Sequence, residues 1–219
     1  MKSTLPKPLF SIPTGPPSPA APVAPKGFAL PASRFHETQR RLALAKRGRP
    51  AKHLIRPENC QEVIARLPAP GETTHAVLMG NFVVGDLVAQ IIRERGPASH
   101  VRLATLSLSE KNADALAELL EAGQIGELSL LVSDYFAQVS KDSVAPYCRA
   151  RLSAARWGVS RVHCKVFVLP CGADNYILHG SANLRSSANA ENLAIENCPD
   201  LAAFHAAWID ELVKAAREL

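Results

Sequence analysis

The stretch that decides the fold is SRVHCKVFVLP at residues 160–170, followed by NYILHGSAN at residues 175–183. Both runs are rich in β-branched and aliphatic residues, and the four residues between them, 171–174, have the sequence CGAD. Two such runs joined by a short segment that contains glycine are typical of a β-hairpin. The sequence therefore predicts two neighbouring antiparallel strands here.

Upstream of this hairpin, strand-forming runs alternate with helix-forming runs from about residue 58 onwards. Three runs predict strands: THAVLMGNFVV at 74–84, HVRLATLSL at 100–108 and ELSLLV at 127–132. A helix is predicted after each of them, because apolar residues recur there at helical spacing between turn-forming residues. The order before the hairpin is therefore β-α-β-α-β-α.

The predicted helices begin at polar capping residues. Asp86 is expected to cap the first helix, Ser107 begins a capping-box pattern for the second, and the third is expected to span residues 142–156. After the hairpin, residues 191–196 predict a short strand, and Asp200 is expected to cap a last helix. This alternation predicts an α/β domain with a mixed sheet flanked by helices.

Charge divides the chain into two regions. Residues 1–56 contain eleven of the 25 Lys and Arg residues but one of the 20 acidic residues, so this segment carries a net charge of +10 and residues 57–219 carry −5. Nine of the 17 prolines fall within the first 31 residues, and proline neither continues a helix nor donates to a sheet ladder. We therefore expect a disordered, proline-rich tail at 1–33, a basic linker at 34–57 and the α/β domain at 58–219.

A short motif in the basic linker resembles the AT-hook, in which an extended Arg-Gly-Arg-Pro centre enters the minor groove of A·T-rich DNA. Its residues are Arg47, Gly48, Arg49, Pro50 and Lys52. Glycine lets the backbone lie deep in that groove while the arginines meet its negative potential. A solvated basic linker explains the same residues equally well. In either case, a net charge of +10 is expected to attract nucleic acid by counterion release.

The composition of the chain also indicates where in the cell the protein is expected. The longest apolar stretch, residues 76–84, is interrupted by Asn81 and falls well short of the roughly 20 residues that a membrane span requires. Prolines interrupt the first ten residues, so no secretory signal is expected, and five cysteines in a chain of this length favour free thiols. We expect a cytoplasmic protein without stable insertion into a membrane.

Four polar side chains are expected to converge on the hairpin. Side chains on a strand alternate between its two faces, so His163 and Lys165 are expected to point the same way, and Cys164 the other way into the core. Ser181 and Asn183 are likewise two residues apart on the second strand. Pairing of the two strands would bring all four polar groups together.

This set of groups suits the cleavage of a phosphodiester. Such a site needs cationic and amide donors for the nonbridging oxygens, a nucleophile and a proton donor for the leaving group. Lys165, Asn183 and Ser181 offer the donors, and His163 offers the nucleophile. Glu191 is expected to accept a hydrogen bond from an imidazole N–H and so to orient the ring.

The same residues resemble the HxKxxxxD…GSxN signature of the phospholipase D superfamily, through the segments His163-Cys164-Lys165, Gly180-Ser181-Ala182-Asn183 and Glu191-Asn192. The resemblance extends over residues 58–219. In that family a histidine attacks phosphorus to form a phosphohistidine, and a histidine from a second copy of the motif protonates the leaving oxygen, without a metal or other cofactor. The resemblance thus implies catalytic roles for His163, Lys165, Ser181, Asn183 and Glu191.

The chain carries one copy of this motif, as do small bacterial endonucleases of the family, which form twofold dimers. The resemblance therefore implies a homodimer whose two chains share one site. One position departs from the signature: Pro170 stands where the family has aspartate, and Asp174 in the turn is a candidate replacement. His179 is expected to be a packed or supporting histidine, and Trp157 a buried aromatic.

Three functions remain open at this stage. The resemblance and the basic tail favour a phosphodiesterase that acts on DNA. Pro170 favours a noncatalytic DNA-binding protein on a degenerate scaffold of the same fold. A phospholipid phosphodiesterase is a third possibility, because anionic lipid also attracts basic tails, although the sequence offers no apolar interfacial helix.

Overall fold

The computed structural model describes residues 52–80, 82–185 and 189–216. Within these ranges, eight strands form one mixed sheet in the spatial order β1-β2-β8-β7-β6-β3-β4-β5. In chain order the strands are β1 (Lys52–Ile55), β2 (Thr73–Leu78), β3 (Ala98–Thr105), β4 (Ile125–Ser133), β5 (Arg156–Ser160), β6 (Val166–Cys171), β7 (Asp174–Gly180) and β8 (Glu191–Asn197). The pairs β1–β2, β3–β4 and β4–β5 are parallel, and the central strands β6, β7 and β8 run antiparallel to their neighbours.

Helices cover both faces of this sheet. They are α1 (Cys60–Ile64), α2 (Val84–Arg95), α3 (Glu110–Glu121), α4 (Asp134–Val139), α5 (Val144–Arg151) and α6 (Pro199–Ala215). Buried residues of α1 to α5 pack together on one face, whereas Ala202 and Ile209 of α6 pack against the other. Because both faces are covered, the middle residues of the central strands are apolar and buried, at 166–169 in β6, 176–178 in β7 and 193–195 in β8.

Strand β6 shows how the two faces are filled. Phe167 and Leu169 pack with the larger cluster beneath α1 to α5, whereas Val166 and Val168 pack with the smaller cluster beneath α6. All four side chains are buried. This alternation keeps β6 in register at the centre of the sheet, because a slip by one residue would exchange the two faces.

The predicted hairpin is confirmed as β6 and β7. Cys171 pairs with Asp174, so the turn consists of Gly172 and Ala173. Gly172 has φ +58°, a left-handed conformation that glycine adopts without a steric penalty. The predicted strands at 74–84, 100–108, 127–132 and 191–196 correspond to β2, β3, β4 and β8.

The structure also contains elements that the sequence did not predict. Strand β1 lies inside the segment 34–57 assigned to the basic linker, so the sheet begins before residue 58. The single helix expected at 142–156 is shorter, ending at Arg151, and residues 156–160 form strand β5. Helix α4, directly after β4, was not predicted either. These elements are short, and short elements show too few periods of the apolar pattern to stand out.

Three of the predicted helix caps lie elsewhere. Val83 precedes α2, so Asp86 is in its first turn and its carboxylate pairs with Lys111 at 3.3 Å. Ser109 rather than Ser107 caps α3, accepting from the backbone N–H of Asn112. Cys198 precedes α6, which places Asp200 in the first turn, where the helix dipole favours a carboxylate. In each case the cap position belongs to the residue directly before the helix, which has an extended backbone conformation, and not to the polar residue that the sequence suggested.

Among the described residues, no helix combines the length and the apolar character that crossing a bilayer would require. The predicted tail at 1–33 lies outside the described residues.

Candidate active site

The five candidate residues lie at one edge of the sheet. At this edge, called the site edge below, β3 and β7 end and β6 and β8 begin, because neighbouring strands in the order β8-β7-β6-β3 are antiparallel. Lys165 directly precedes β6, Ser181 directly follows β7, and Glu191 is the first residue of β8. The topology therefore brings together groups that three separate strands contribute.

His163 and Lys165 are in contact, although neither is part of a strand as predicted. Both lie in the irregular segment between β5 and β6. The Lys165 ammonium donates to the backbone carbonyl oxygen of His163 at 2.7 Å, and its Nζ is 3.4 Å from the imidazole Nδ1. Lys165 is only 6% exposed, whereas His163 is exposed. A buried positive charge thus lies beside an accessible imidazole.

Cys164 corrects one prediction. It was expected in the core, but it is exposed. The alternation of faces that predicted its burial applies only to an extended strand, and β6 begins two residues later at Val166. Trp157, by contrast, is buried as predicted, and its indole N–H donates to the carbonyl of Leu152 at 3.1 Å.

Ser181 and Glu191 form a second group. The Ser181 hydroxyl donates to the Glu191 carboxylate and accepts from the backbone N–H of Asn192 at 3.0 Å. The observed partner of Glu191 is thus a hydroxyl rather than the imidazole that the sequence suggested. Gly180 makes this close contact possible, because a Cβ at position 180 would lie 2.1 Å from the carbonyl oxygen of Asn192.

Asn183 forms the third group with Thr105, the last residue of β3. The Thr105 hydroxyl donates to the carbonyl of Ser107 at 3.0 Å, lies 3.5 Å from Oδ1 of Asn183 and accepts from the backbone N–H of Leu184 at 3.3 Å. Thr105 is fully buried, and its neighbour Ala104 pairs with Val166 of β6. These contacts hold the Ala182–Leu184 loop at the end of β3, which is the strand next to the one that follows Lys165.

A second set of contacts holds the same loop from the other side. The carbonyl oxygen of Leu184 accepts from the Asn112 side-chain amide at 2.8 Å and from the backbone N–H of Ser109 at 2.9 Å. Asn112 is 1% exposed, so its bond replaces water that cannot reach this carbonyl. Thr105 and Asn112 are positioning residues that the sequence did not reveal, because a threonine ending a strand and an asparagine in a helix carry no motif.

The position at which the family has aspartate lies far from these groups. Position 170 lies near the other end of β6, five residues beyond Lys165, or roughly 16 Å at the usual rise per strand residue. Asp174, the candidate replacement, is at that same far end, where its carboxylate accepts from the Tyr176 hydroxyl at 2.9 Å and from the Asn197 amide at 2.8 Å. Asp174 therefore supports the hairpin and does not reach the site edge.

His179 bonds a neighbouring strand and does not belong to the candidate site, in agreement with the expectation of a packed histidine. Its Nε2 is 2.9 Å from Oε1 of Glu196 on the neighbouring strand β8, and this hydrogen bond lowers the pKa of Glu196. His205 of α6 belongs to the same surroundings, and burial lowers its pKa to about 4. These groups face α6 rather than the site edge.

A groove of about 420 Å³ opens beside His163. Tyr135 of α4 and Arg161 contribute to its walls, and both are exposed. The sequence did not single out either residue, because α4 is too short to show a pattern.

Of the residues proposed to bind DNA, Arg47, Gly48, Arg49 and Pro50 lie outside the described residues. Lys52 is the first residue of β1, where it is exposed and pairs with Thr73 of β2. Lys52 is therefore part of the sheet rather than of a separate linker.

Comparison with known proteins gives similarities to solved structures only. No family model and no curated protein matches the sequence. Among solved structures, polyphosphate kinase from Porphyromonas gingivalis is similar with a TM-score of 0.50 and 16% identity over 67% of this chain and 26% of its own. Nuc, a phospholipase D family member from Salmonella typhimurium, gives a TM-score of 0.48 and 19% identity over 68% of this chain and 99% of its own. NucT from Helicobacter pylori gives 0.46 and 14% over 68% and 100%.

At these identities the likeness concerns the fold alone. The mixed sheet with helices on both faces is the architecture that the alternation of strand and helix patterns predicted. The described part of the chain has an α/β fold with a mixed sheet flanked by helices, and its likeness to the polyphosphate kinase structure is a likeness of fold.

Proposed function

We propose that the chain is a metal-independent phosphodiesterase that cleaves nucleic acid through a phosphohistidine and acts as a homodimer. The observation that carries this proposal is the contact between the exposed imidazole of His163 and the buried ammonium of Lys165, with 3.4 Å between Nδ1 and Nζ. A nucleophile beside a fixed positive charge is what attack on an anionic diester requires, because the charge stabilises the oxygens of the transition state.

The chemistry proceeds in two steps. A ring nitrogen of His163 attacks phosphorus, the P–O bond to the leaving group breaks, and the leaving oxygen takes a proton from His163 of the partner subunit. Water then attacks the phosphohistidine, the P–N bond breaks, and the proton from water passes to the partner's His163. The two steps together restore both imidazoles and consume one water molecule.

Lys165 and Asn183 bind the nonbridging oxygens. Because Oδ1 of Asn183 faces the Thr105 hydroxyl, the Nδ2 amide of Asn183 remains as a donor for phosphate. Glu191 has two carboxylate oxygens, of which Oε2 accepts from Ser181, so Oε1 can accept an imidazole N–H once two chains share the site.

A noncatalytic nucleic-acid-binding protein is the second candidate, and Pro170 favours it. However, Pro170 lies far from the candidate site. Residue 170 lies near the opposite end of β6 from Lys165, so its replacement takes no group away from the site edge. We therefore place the enzyme first.

The deciding experiment compares wild type with His163→Ala on plasmid DNA and on bis(p-nitrophenyl) phosphate, in the presence of a chelator. We expect wild type to cleave both and His163→Ala to lose about 10³-fold or more in rate while still binding DNA. His179→Ala is the matched control, because that histidine faces Glu196 rather than the site edge. If wild type and His163→Ala both retard DNA and neither cuts it, the scaffold function is correct.

The substrate class is tested by removing the basic segment. Because β1 begins at Lys52, the truncated chain should start at residue 52, rather than at 57, to keep the sheet intact. We expect weaker DNA binding with a shallower dependence on salt, and hydrolysis of the small diester within about twofold of wild type. Unchanged DNA affinity would show that the basic segment does not bind DNA, and preferential hydrolysis of phospholipid vesicles would identify a lipid substrate.

A further inference from the structure

The groove beside His163 has an aromatic and a cationic wall that the proposed chemistry does not use. It is lined by His163, Leu106, Val162, Tyr135 and Arg161, and its volume of about 420 Å³ is within the range of small-ligand sites. Because His163 is one of its walls, a molecule held there would lie directly next to a phosphate at the site edge.

Tyr135 lies on a helix that is fixed by hydrogen bonds and by a buried side chain. It lies in the first turn of α4, where Ser133 caps the helix by accepting from the backbone N–H of Phe136 at 3.0 Å. The Ser133 hydroxyl also donates to the carbonyl of Leu106 at 2.7 Å, and Phe136 is buried in the core. Tyr135, the residue before Phe136, is 56% exposed. A large aromatic side chain is thus displayed to solvent by a helix that is anchored on both sides.

Arg161 supplies the charge. Its side chain is 95% exposed, and its Nε lies 3.6 Å from Oδ2 of Asp134, the residue before Tyr135. This ion pair joins Arg161 to the residue before Tyr135, and the exposure of the guanidinium leaves its remaining N–H groups able to donate to a phosphate. Asp134 offsets part of the charge, so the aromatic ring is expected to contribute more to affinity than the cation does.

We propose that Tyr135 and Arg161 form a subsite for the nucleotide next to the scissile phosphate, with its base stacked on Tyr135 and its outer phosphate bound by Arg161. This inference rests on the proposed function and narrows its substrate. A base can stack on Tyr135 only when it is unpaired, so the preferred substrate is single-stranded nucleic acid or an unpaired end.

Nucleic acid fits this groove better than a lipid chain does. A lipid chain in the groove would desolvate the ion pair of Arg161 with Asp134 without replacing its hydrogen bonds, which is costly. A nucleotide instead brings a flat apolar face for the ring and a phosphate for the guanidinium. The net charge of +10 on residues 1–56 also suits a polyanion.

The test measures binding in the His163→Ala protein, so that it does not depend on cleavage. The probes are a single-stranded oligonucleotide and the same oligonucleotide with abasic sites around one central phosphate. We expect Tyr135→Ala to weaken binding of the normal oligonucleotide about 10- to 100-fold and to leave binding of the abasic one nearly unchanged. Tyr135→Phe, which keeps the ring, should restore the wild-type difference between the two probes.

Two further variants complete the experiment. Arg161→Ala should weaken both oligonucleotides alike and reduce the salt dependence of binding by about one phosphate contact. Tyr147→Ala is the matched control, because Tyr147 is an exposed tyrosine whose hydroxyl bonds Asp114 on α3. Equal losses on both probes for Tyr135→Ala, or an effect confined to binding of phosphatidylglycerol vesicles, would overturn the subsite. Absence of hydrolysis by wild type, with the subsite effect present, would contradict the proposed function alone.

Discussion

The two ends of strand β6 differ in what their polar groups do. At the site edge, the buried ammonium of Lys165 lies beside an imidazole that is open to solvent. At the opposite edge, where the hairpin turns, the carboxylate of Asp174 accepts from both the Tyr176 hydroxyl and the Asn197 amide. The first end thus presents an exposed imidazole to a ligand, whereas the carboxylate of Asp174 at the second end is bonded within the protein.

This difference explains how a departure from the signature can leave the candidate site complete. Position 170, where the family has aspartate, belongs to the opposite edge, and a network of hydrogen bonds already stabilises the chain there. The following predictions test whether the two edges are separate in this way, one serving chemistry and the other stability.

The largest effect is expected at the site edge. Lys165→Met should lower kcat/KM for a diester about 10²- to 10³-fold, because it removes the main cation facing the phosphate. The free energy of unfolding should be unchanged or higher, since a methionine of similar length avoids the cost of burying an ammonium. Hydrolysis rates and urea unfolding measure the two quantities, with Lys214→Met on α6 as control. A destabilised variant with normal kcat/KM would give Lys165 a purely structural role.

At the opposite edge the expectation is reversed. Asn197→Ala should lower the free energy of unfolding by about 2–3 kcal/mol, because the amide bonds Asp174 at 2.8 Å, the backbone N–H of Asn175 at 3.0 Å and the carbonyl of Pro68 at 3.3 Å in a buried position. The kcat of the folded fraction should stay within about twofold of wild type. A loss of kcat comparable to that of Lys165→Met would show that the two edges are coupled.

Thr105 gives a smaller effect that separates positioning from stability. Thr105→Val keeps the shape of the side chain but removes the hydroxyl, which bonds the Ser107 carbonyl and the Leu184 N–H and lies 3.5 Å from Asn183 Oδ1. We expect kcat/KM to fall about tenfold, largely through KM, because Asn183 would bind phosphate in a less defined position. Thr105→Ser should recover most of the activity. If serine fails to restore KM, the hydroxyl does not position Asn183.

The smallest effect concerns pH and lies away from both edges. Burial lowers the pKa of His205 from 6.5 to about 4, so between these values the unfolded chain binds a proton that the folded chain does not. The free energy of unfolding is therefore expected to be constant with respect to His205 above pH 6.5 and to fall as pH decreases towards 4. His205 Nδ1 accepts from the Trp208 indole at 2.9 Å, a bond that protonation of that nitrogen would break.

His205→Phe should reduce this loss by about 1 kcal/mol, after allowance for the partial exposure of the ring. Thermal unfolding at pH 7, 5.5 and 4.5 measures it, with exposed His75→Phe as control. Identical pH profiles for His205→Phe and wild type would show that His205 does not titrate in this way.

Much of the fold followed from the sequence because its signals are local. The hairpin was predictable because two apolar runs flank a glycine turn, and the order of alternating strands and helices was predictable from periodicity. The sequence failed at β1, β5, α1 and α4, because each is too short for its own pattern to stand out. Cys164 was misplaced for a related reason, since only the structure shows that β6 begins at Val166.

The candidate site was predictable only as a set of residue types. The motif named His163, Lys165, Ser181, Asn183 and Glu191, but not their contacts. Thr105 lies 78 residues before Asn183 in the sequence, and β3 is adjacent to β6 only because the sheet inserts the three antiparallel strands between its parallel parts. Tyr135 and Arg161 likewise meet at a groove whose walls come from separate segments.

By itself, the sequence determined the class of fold, the placement of charge along the chain and the chemical groups available for catalysis, because each depends on residues close to one another in the chain. The tertiary structure alone decided which of those groups share an edge of the sheet, which polar residues are used up in mutual hydrogen bonds, and which aromatic side chain faces the candidate nucleophile. Those outcomes depend on strand order and direction, which arise from packing between distant segments and leave no local trace in the sequence.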